Sequence, residues 1–416
     1  MRFSILIPTF HRPQLLGAAI ESALAQTHSD REIIVIDDGP SEETRSVASR
    51  FGTALRYIEH EHGGKAAALN KGISASTGDA IVILDDDDLF PPWTIALHEQ
   101  ALLQNPAADF SFGRFVRFTG ESSPVAAQLC DEEFVPTADP RRLVVKLMAN
   151  CFLPNPTWAV RREAQAKAGP YDDGMRYCED YDMILRLARF NEGAFVNARV
   201  LYQRKHLALR GPSVERTFVS DAVDKWLKYD AVLFERISRE WDISDFRPLN
   251  DVTVENCDGV ACALLQKGVV LFQRKVYAGA IQTLAEYRDR LLDRSPSWLE
   301  LRVATDLLGC RYGLSELGST MGVEIAKELR AQKWPHLLRV AFLDQIRWRL
   351  RDALTMRDVG WANKLIQFAQ RAFGITATGA AMVIQRRYST WQPYYDLRRS
   401  NLAEMHVNEC ETTTGC

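Results

Sequence analysis

Among the cysteines of this 416-residue chain (Cys130, Cys151, Cys178, Cys257, Cys262, Cys310, Cys410 and Cys416) no two stand in a CxxC pair. Scattered thiols argue against a disulfide framework and point to reduced cysteines in a cytoplasm. Long hydrophobic runs are missing as well. No window reaches the roughly 18 consecutive apolar residues that a membrane span needs. The opening MRFSILIPTF enters a strand at once, without a charged region and a long apolar stretch, so no secretory leader is expected. Charge of one sign is absent: 51 Lys and Arg against 54 Asp and Glu leave a net −3, and no nucleic-acid partner is expected for the chain as a whole. What is present is a globular composition, 46% hydrophobic and 25% charged. It is ample for a sizeable core, in a chain long enough for two or three domains.

The first hundred residues alternate between short apolar, β-branched runs (3–7, 33–36, 55–58, 80–84) and segments with helical spacing (13–26, 65–76, 91–105). Ser41 reads as an N-cap, with Glu42 and Glu43 in the first turn where the helix dipole favours them. Continuous apolar strands separated by helices predict a parallel sheet covered on both faces. The expected fold class is α/β, doubly wound and mostly parallel, with ligands outside the carboxyl ends of the strands. Residues 108–210 predict strands at 110–118, 157–160 and 194–203 and helices at 140–149 and 181–190. After Gly211-Pro212 the pattern turns helical (217–238, 260–273, 276–293, 297–315), with no repeat of fixed period. The expected domains are 1–210, a helical 211–400 and a disordered tail over 401–416.

Acidic residues gather where such a sheet binds ligands. Asp37-Asp38-Gly39 follows the second strand; a carboxylate there can accept from a base N–H or a ribose hydroxyl, and Asp-Gly is also a common turn. Asp85-Asp86-Asp87-Asp88 follows the fourth strand. Four consecutive carboxylates at a buried strand end call for a cation, and Mg²⁺ or Mn²⁺ is held by one or two carboxylates together with substrate phosphates. Glu179-Asp180-Tyr181-Asp182 opens a helix, where the dipole stabilises any one acid; three exceed what a cap requires, which suggests a general base.

In this order the segments resemble the inverting glycosyltransferases called family 2, with the GT-A fold. The resemblance runs over about residues 1–210: Ser4-Ile5-Leu6-Ile7-Pro8-Thr9, Ile34-Val35-Ile36-Asp37-Asp38-Gly39, Gly63-Gly64-Lys65, Asn70-Lys71-Gly72, Leu84 to Asp88, and Cys178-Glu179-Asp180-Tyr181-Asp182 with Leu185-Arg186. Pro40 stands where the family usually has Ser, and Asp86 where it usually has a small residue. The resemblance implies a nucleotide-sugar-binding domain, a donor (UDP favoured) and a divalent cofactor, Mn²⁺ or Mg²⁺. It implies that Pro8, Thr9, Arg12, Asp38, Lys65, Asp85 and Asp86 bind the donor. Asp87, with Asp85 and His206, would hold the metal. Asp180 would be the catalytic base, with Glu179 its rival. A glycan or lipid-linked acceptor and a role in polysaccharide biosynthesis are the corresponding expectations. A nucleotidyltransferase and a non-catalytic nucleotide-sugar-binding relative remain open. Against the first, Pro8-Thr9-Phe10-His11-Arg12 stands where a Gly-rich, Arg-containing loop is usual.

Residues 333–399 carry 12 Lys or Arg against 4 Asp, a local +8 set against −11 elsewhere. Trp334, Phe342, Trp348, Trp361, Phe368, Phe373, Trp391, Tyr394 and Tyr395 are interleaved with this charge. Such a stretch can lie at an anionic membrane interface or form a solvated helical face. The expected location is cytoplasmic, with a peripheral place at the inner membrane face as the further option.

Overall fold

The computed structural model describes residues 1–120, 128–133, 142–205, 209–210, 217–249, 258–291, 294–310 and 314–374. They fall into two compact units, one within residues 1–233 and the other from Phe234 onward.

The first unit opens with β1 (Phe3–Thr9), wholly buried, and α1 (Pro13–Leu24), whose first-turn proline needs no N–H partner. β2 (Arg31–Asp37) leads to α2 (Glu42–Ser49), capped by the Ser41 side chain accepting from Thr44 N. There follow β3 (Arg56–Glu59), α3 (Lys65–Ala75), β4 (Ala80–Ile83), α4 (Thr94–Gln104) and β5 (Phe110–Thr119). Next come β6 (Gln128–Glu133), α5 (Leu143–Ala149), β7 (Trp158–Arg161), α6 (Arg162–Ala168), α7 (Glu179–Ala188) and β8 (Ala194–Arg204). The strand order is β3-β2-β1-β4-β7-β5-β6, with β8 also paired to β5. The pairs β1–β2, β1–β4, β2–β3 and β5–β8 are parallel; β7 pairs antiparallel with β4 and β5, and β6 antiparallel with β5. The sheet is thus the mostly parallel one expected, with an antiparallel insertion.

The chain steps outward from β1 to β2 and β3, then returns to β4 on the other side of β1. That reversal leaves a crevice beyond the carboxyl ends of β1 and β4. Helix α3 packs closely beneath it: a Cβ on Gly72 would meet Ile36 Cδ1 at 2.7 Å, so the Asn70-Lys71-Gly72 glycine allows helix and sheet to touch.

Two expectations shift. The helix placed at 91–105 begins at Thr94, because Pro91 and Pro92 first make a turn that Thr94 N closes on Pro91 O. The long helix placed at 297–315 is only α11, below, which gives way to turns such as Gly309 N to Asp306 O.

Short β9 (Leu209–Arg210) and β10 (Thr217–Phe218) precede α8 (Val219–Glu240), and the division between the units falls within α8. The second unit is helical: α9 (Gly259–Gln273), α10 (Tyr277–Leu291), α11 (Trp298–Ala304), α12 (Thr320–Ala331), α13 (His336–Phe342), α14 (Ile346–Thr355) and α15 (Val359–Phe373). The apolar α9 packs on α10, with Gly268 against Leu284, and a Ser297/Glu300 capping box starts α11. No helix among the described residues is long and apolar enough to cross a membrane.

Candidate active site

Asp85 to Asp88 leave the end of β4 in a tight turn, closed by Asp88 N on Asp85 O at 3.0 Å. The turn sends the four side chains different ways. Carboxylate oxygens of Asp85, Asp87 and Asp88 come within 4.8 Å of one another. Asp86 is not in that group; it takes Thr9 Oγ1 at 2.8 Å and Arg12 at 2.9 Å. The same Arg12 nitrogen reaches Asp87 at 3.0 Å. From the far side Arg204 donates its backbone N–H to Asp88 at 2.7 Å and Nε to the Asp87 carbonyl at 2.8 Å.

Burial pushes the Asp86 carboxyl up to about 6, against the pull of Arg12 and with help from Asp87. Asp88 is driven well above the usual carboxylate range by burial and by Asp87 and Asp85. Buried negative charge is thus incompletely matched, and three converging hard oxygens suit Mg²⁺ or Mn²⁺. The donor set fits such an ion.

Lys65 joins this cluster to the acids of α7. Gly64, at φ 90°, turns the chain into α3 and sets Lys65 at its start, with Nζ 2.6 Å from Asp85 and 3.8 Å from Glu179. Burial disfavours the ammonium charge, but Asp85, Glu179 and Asp180 outweigh it and hold its pKa above the ordinary value. Two acidic segments more than ninety residues apart in sequence therefore share one crevice and one cation. Asn70 ties the same helix to the approach of α7, exchanging two hydrogen bonds with the backbone of Tyr171 (2.8 and 2.9 Å).

Glu179 is buried, and burial together with Asp180 lifts its carboxyl to about 7 against the pull of Lys65. With a folded pKa above the ordinary 4.5, the folded chain holds the extra proton between about pH 4.5 and 7, so stability falls as pH rises through that window. Glu179→Gln is expected to flatten the decline, a gain on the order of 1–3 kcal/mol at pH 8 relative to pH 4.5 in chemical denaturation. Parallel wild-type and variant curves would contradict the buried acid.

The other expected donor contacts divide. Pro8 and Thr9 close β1 at the crevice, both buried. Asp86, among the expected donor contacts, accepts from Thr9 and Arg12 and so anchors both. Asp38, another of the expected donor contacts, is bonded at 2.9–3.0 Å by Gly63 N, Gly64 N, His60 and His62. It fastens the 60–64 loop, and Phe10 stacks on His62 with ring centroids 4.1 Å apart. His206 lies outside the described residues. Asp88, Asn70 and Arg204 carry no assigned role from sequence: the acidic run holds Asp88, the Asn70-Lys71-Gly72 motif holds Asn70, and no motif marks Arg204.

The fold and this site define an α/β domain with an acidic crevice at the carboxyl ends of its parallel strands. Residues 4–167 match the model of glycosyl transferase family 2. Over that stretch the chain carries a segment similar to family 2 glycosyltransferases. It is 28% identical over 251 residues to an uncharacterised glycosyltransferase of Haemophilus influenzae, covering 58% of this chain and 81% of that one. A Rickettsia typhi glycosyltransferase is 28% identical over 213 residues, 49% of this chain; this chain spans 64% of the length of that relative. Among solved structures, S. aureus TarS 1–349 in complex with UDP-GlcNAc aligns with a TM-score of 0.48 at 14% identity, covering 89% of this chain and 90% of that one.

Proposed function

We propose that the protein is an inverting glycosyltransferase that moves a sugar from a nucleoside-diphosphate sugar, UDP in the first instance, to a hydroxyl of a glycan or lipid-linked acceptor. The observation that carries this reading is the Lys65 bridge, which brings the Asp85–Asp88 turn and the Glu179–Asp180 pair to one crevice. In this reading Asp85, Asp87 and Asp88 hold Mg²⁺ or Mn²⁺ against the donor diphosphate. The ion supplies neutralisation of the charge that develops on the leaving nucleoside diphosphate. Arg12 and Lys65 add fixed positive charge at the same place, and Thr9 and Pro8 line the approach. Asp180 takes the acceptor proton as the hydroxyl attacks the anomeric carbon opposite the leaving group, which inverts that carbon. The test is a panel of nucleotide-sugars assayed for release of free nucleoside diphosphate with Mn²⁺, with Mg²⁺ and in chelator. Release with one donor, lost in chelator, is the expected result; no release with any donor overturns the reading.

The acceptor reading extends to the surface of the helical unit. Leu354, Met356 and Val359 are 61%, 81% and 59% exposed where α14 passes into α15. Arg351 stacks on the exposed Trp348, 4.5 Å from the ring centroid. Apolar side chains beside arginines suit a headgroup layer, and each arginine near an anionic surface contributes about 1 kcal/mol. Residues 333–399 are proposed to hold the enzyme on anionic membranes, at the cytoplasmic face, next to a lipid-linked acceptor. The part of this segment after Gly374 and the Arg347 side chain lie outside the described residues. In cosedimentation the chain is expected to follow anionic but not neutral liposomes, to release with salt, and to bind less when Arg347 and Arg351 become Glu. Full recovery in the supernatant under every condition would make a soluble acceptor the better reading.

A further inference from the structure

Helix α7 starts from an unusual residue. Cys178, at its N-cap, has φ 66° and ψ 18°, left-handed backbone that a side chain other than glycine adopts at a cost of about 1–2 kcal/mol. Its side chain makes no cap to the helix. The strain falls one residue before Glu179 and two before Asp180, so whatever holds this turn aims the acidic pair.

Three residues on the first part of α8 hold it. Asp230, a buried acid with no part in the donor or metal site, accepts from Cys178 Sγ at 3.4 Å. Tyr229 packs its ring on Tyr177, with centroids 5.4 Å apart. Lys225 donates to the Tyr177 hydroxyl at 3.3 Å, its ammonium 5.5 Å from the same ring's centroid. Positions 225 and 229 lie four apart and so share a helix face, with 230 beside them. All belong to the unit that carries the crevice. Burial, then the charges of Asp230 and Asp180, push the Cys178 thiol up, which keeps it protonated and able to donate.

We propose that Asp230 is a positioning residue for Asp180 and Glu179: with Lys225 and Tyr229 it clamps the left-handed Tyr177-Cys178 turn and thereby sets the direction in which α7 presents its acids. The proposal rests on the transferase reading above. It concerns orientation and assigns Asp230 no contact with substrate.

Misplacement by a fraction of an ångström to an ångström at a reacting group costs about ten- to a hundred-fold in rate. Asp230→Ala is therefore expected to lower kcat by that factor while the donor KM, and donor affinity by calorimetry, stay within two-fold of wild type, on the order of the scatter between ordinary surface variants. Asp230→Asn keeps an oxygen that accepts from the thiol and should restore most of kcat. Cys178→Ala should reproduce the loss, Cys178→Ser should not, and the Asp230→Ala/Cys178→Ala pair should be no worse than either alone. If Asp230→Ala fails to fold, Cys178→Ala and Lys225→Met remove the clamp from other positions and carry the same test. A wild-type kcat in Asp230→Ala or Cys178→Ala overturns the proposal, and so does a loss that appears in donor KM. A wild type inactive with every nucleotide-sugar would sink the transferase reading instead. The clamp is then read without turnover, as faster alkylation of Cys178 in Asp230→Ala than in wild type, with Cys178→Ser as the blank. Equal alkylation rates overturn it.

Discussion

Asp87→Ala is expected to remove the metal-dependent part of donor binding, a loss of about 10²-fold or more in affinity, roughly 2.7 kcal/mol. The geometry isolates the effect. The Asp87 carbonyl is held by Arg204 Nε and the turn by Asp88 N on Asp85 O, so the backbone keeps its path when the side chain goes. What disappears is one of the three converging carboxylates and one of two partners of the Arg12 nitrogen. Arg12 retains Asp86, so no buried guanidinium is stranded. Asp88→Asn is expected to cost less, because an amide oxygen still accepts from Arg204 N and the lost charge is the one burial and its neighbours already oppose. Asp86→Ala should act differently again: it removes the joint partner of Thr9 and Arg12 and should lower stability as much as binding. Calorimetry with a cognate nucleotide-sugar, with Mn²⁺ and in chelator, separates these cases. Donor affinity in wild type that chelator leaves unchanged would end the metal reading.

Four acids after an apolar strand already mark the crevice, because the periodicity that shows β4 as buried also shows its carboxyl end as the ligand side of the sheet. The sequence does not say which of the four converge. That depends on one turn hydrogen bond and on Arg204, which lies 116 residues beyond Asp88. Asp38 sits at the strand end that sequence assigns to ligand contact, and its oxygens also fasten a loop that begins 22 residues later, a closure no local pattern encodes. Strand β6 and its antiparallel pairing escaped for another reason: edge strands that pair on one side need no continuous apolar run. Lys65 was legible as a residue of the Gly-Gly-Lys motif but not as the bridge between two acidic clusters. Asp230 was not legible at all, since one buried acid on a long amphipathic helix carries no signature until Cys178 is found against it.

In the proposed mechanism the division of labour within that bridged pair decides the chemistry, and Asp180→Asn tests it. Glu179 is buried beside Lys65 and is raised to about 7, so near neutral pH it carries a proton part of the time. Asp180 is only partly buried, at the first turn of α7, where the helix dipole favours a carboxylate. A base must be reachable by the acceptor hydroxyl, and Asp180 is the less buried of the two. Asn keeps the shape and hydrogen bonding of Asp180 and cannot take a proton at neutral pH. Turnover is expected to fall by about 10²-fold or more, with donor affinity and its metal dependence unchanged. Glu179→Gln should cost less, because the uncharged amide resembles the protonated acid that burial already favours. Its effect should appear in the pH profile, where the variant loses any inflection near 7 that wild-type kcat shows. Each variant is measured for kcat, for donor affinity and across pH 5–9, a range of about two units either side of that value. An active Asp180→Asn beside a dead Glu179→Gln would move the base by one residue. It would also change the task of Lys65: the ammonium 3.8 Å from Glu179 would then be the group that keeps the base ionised.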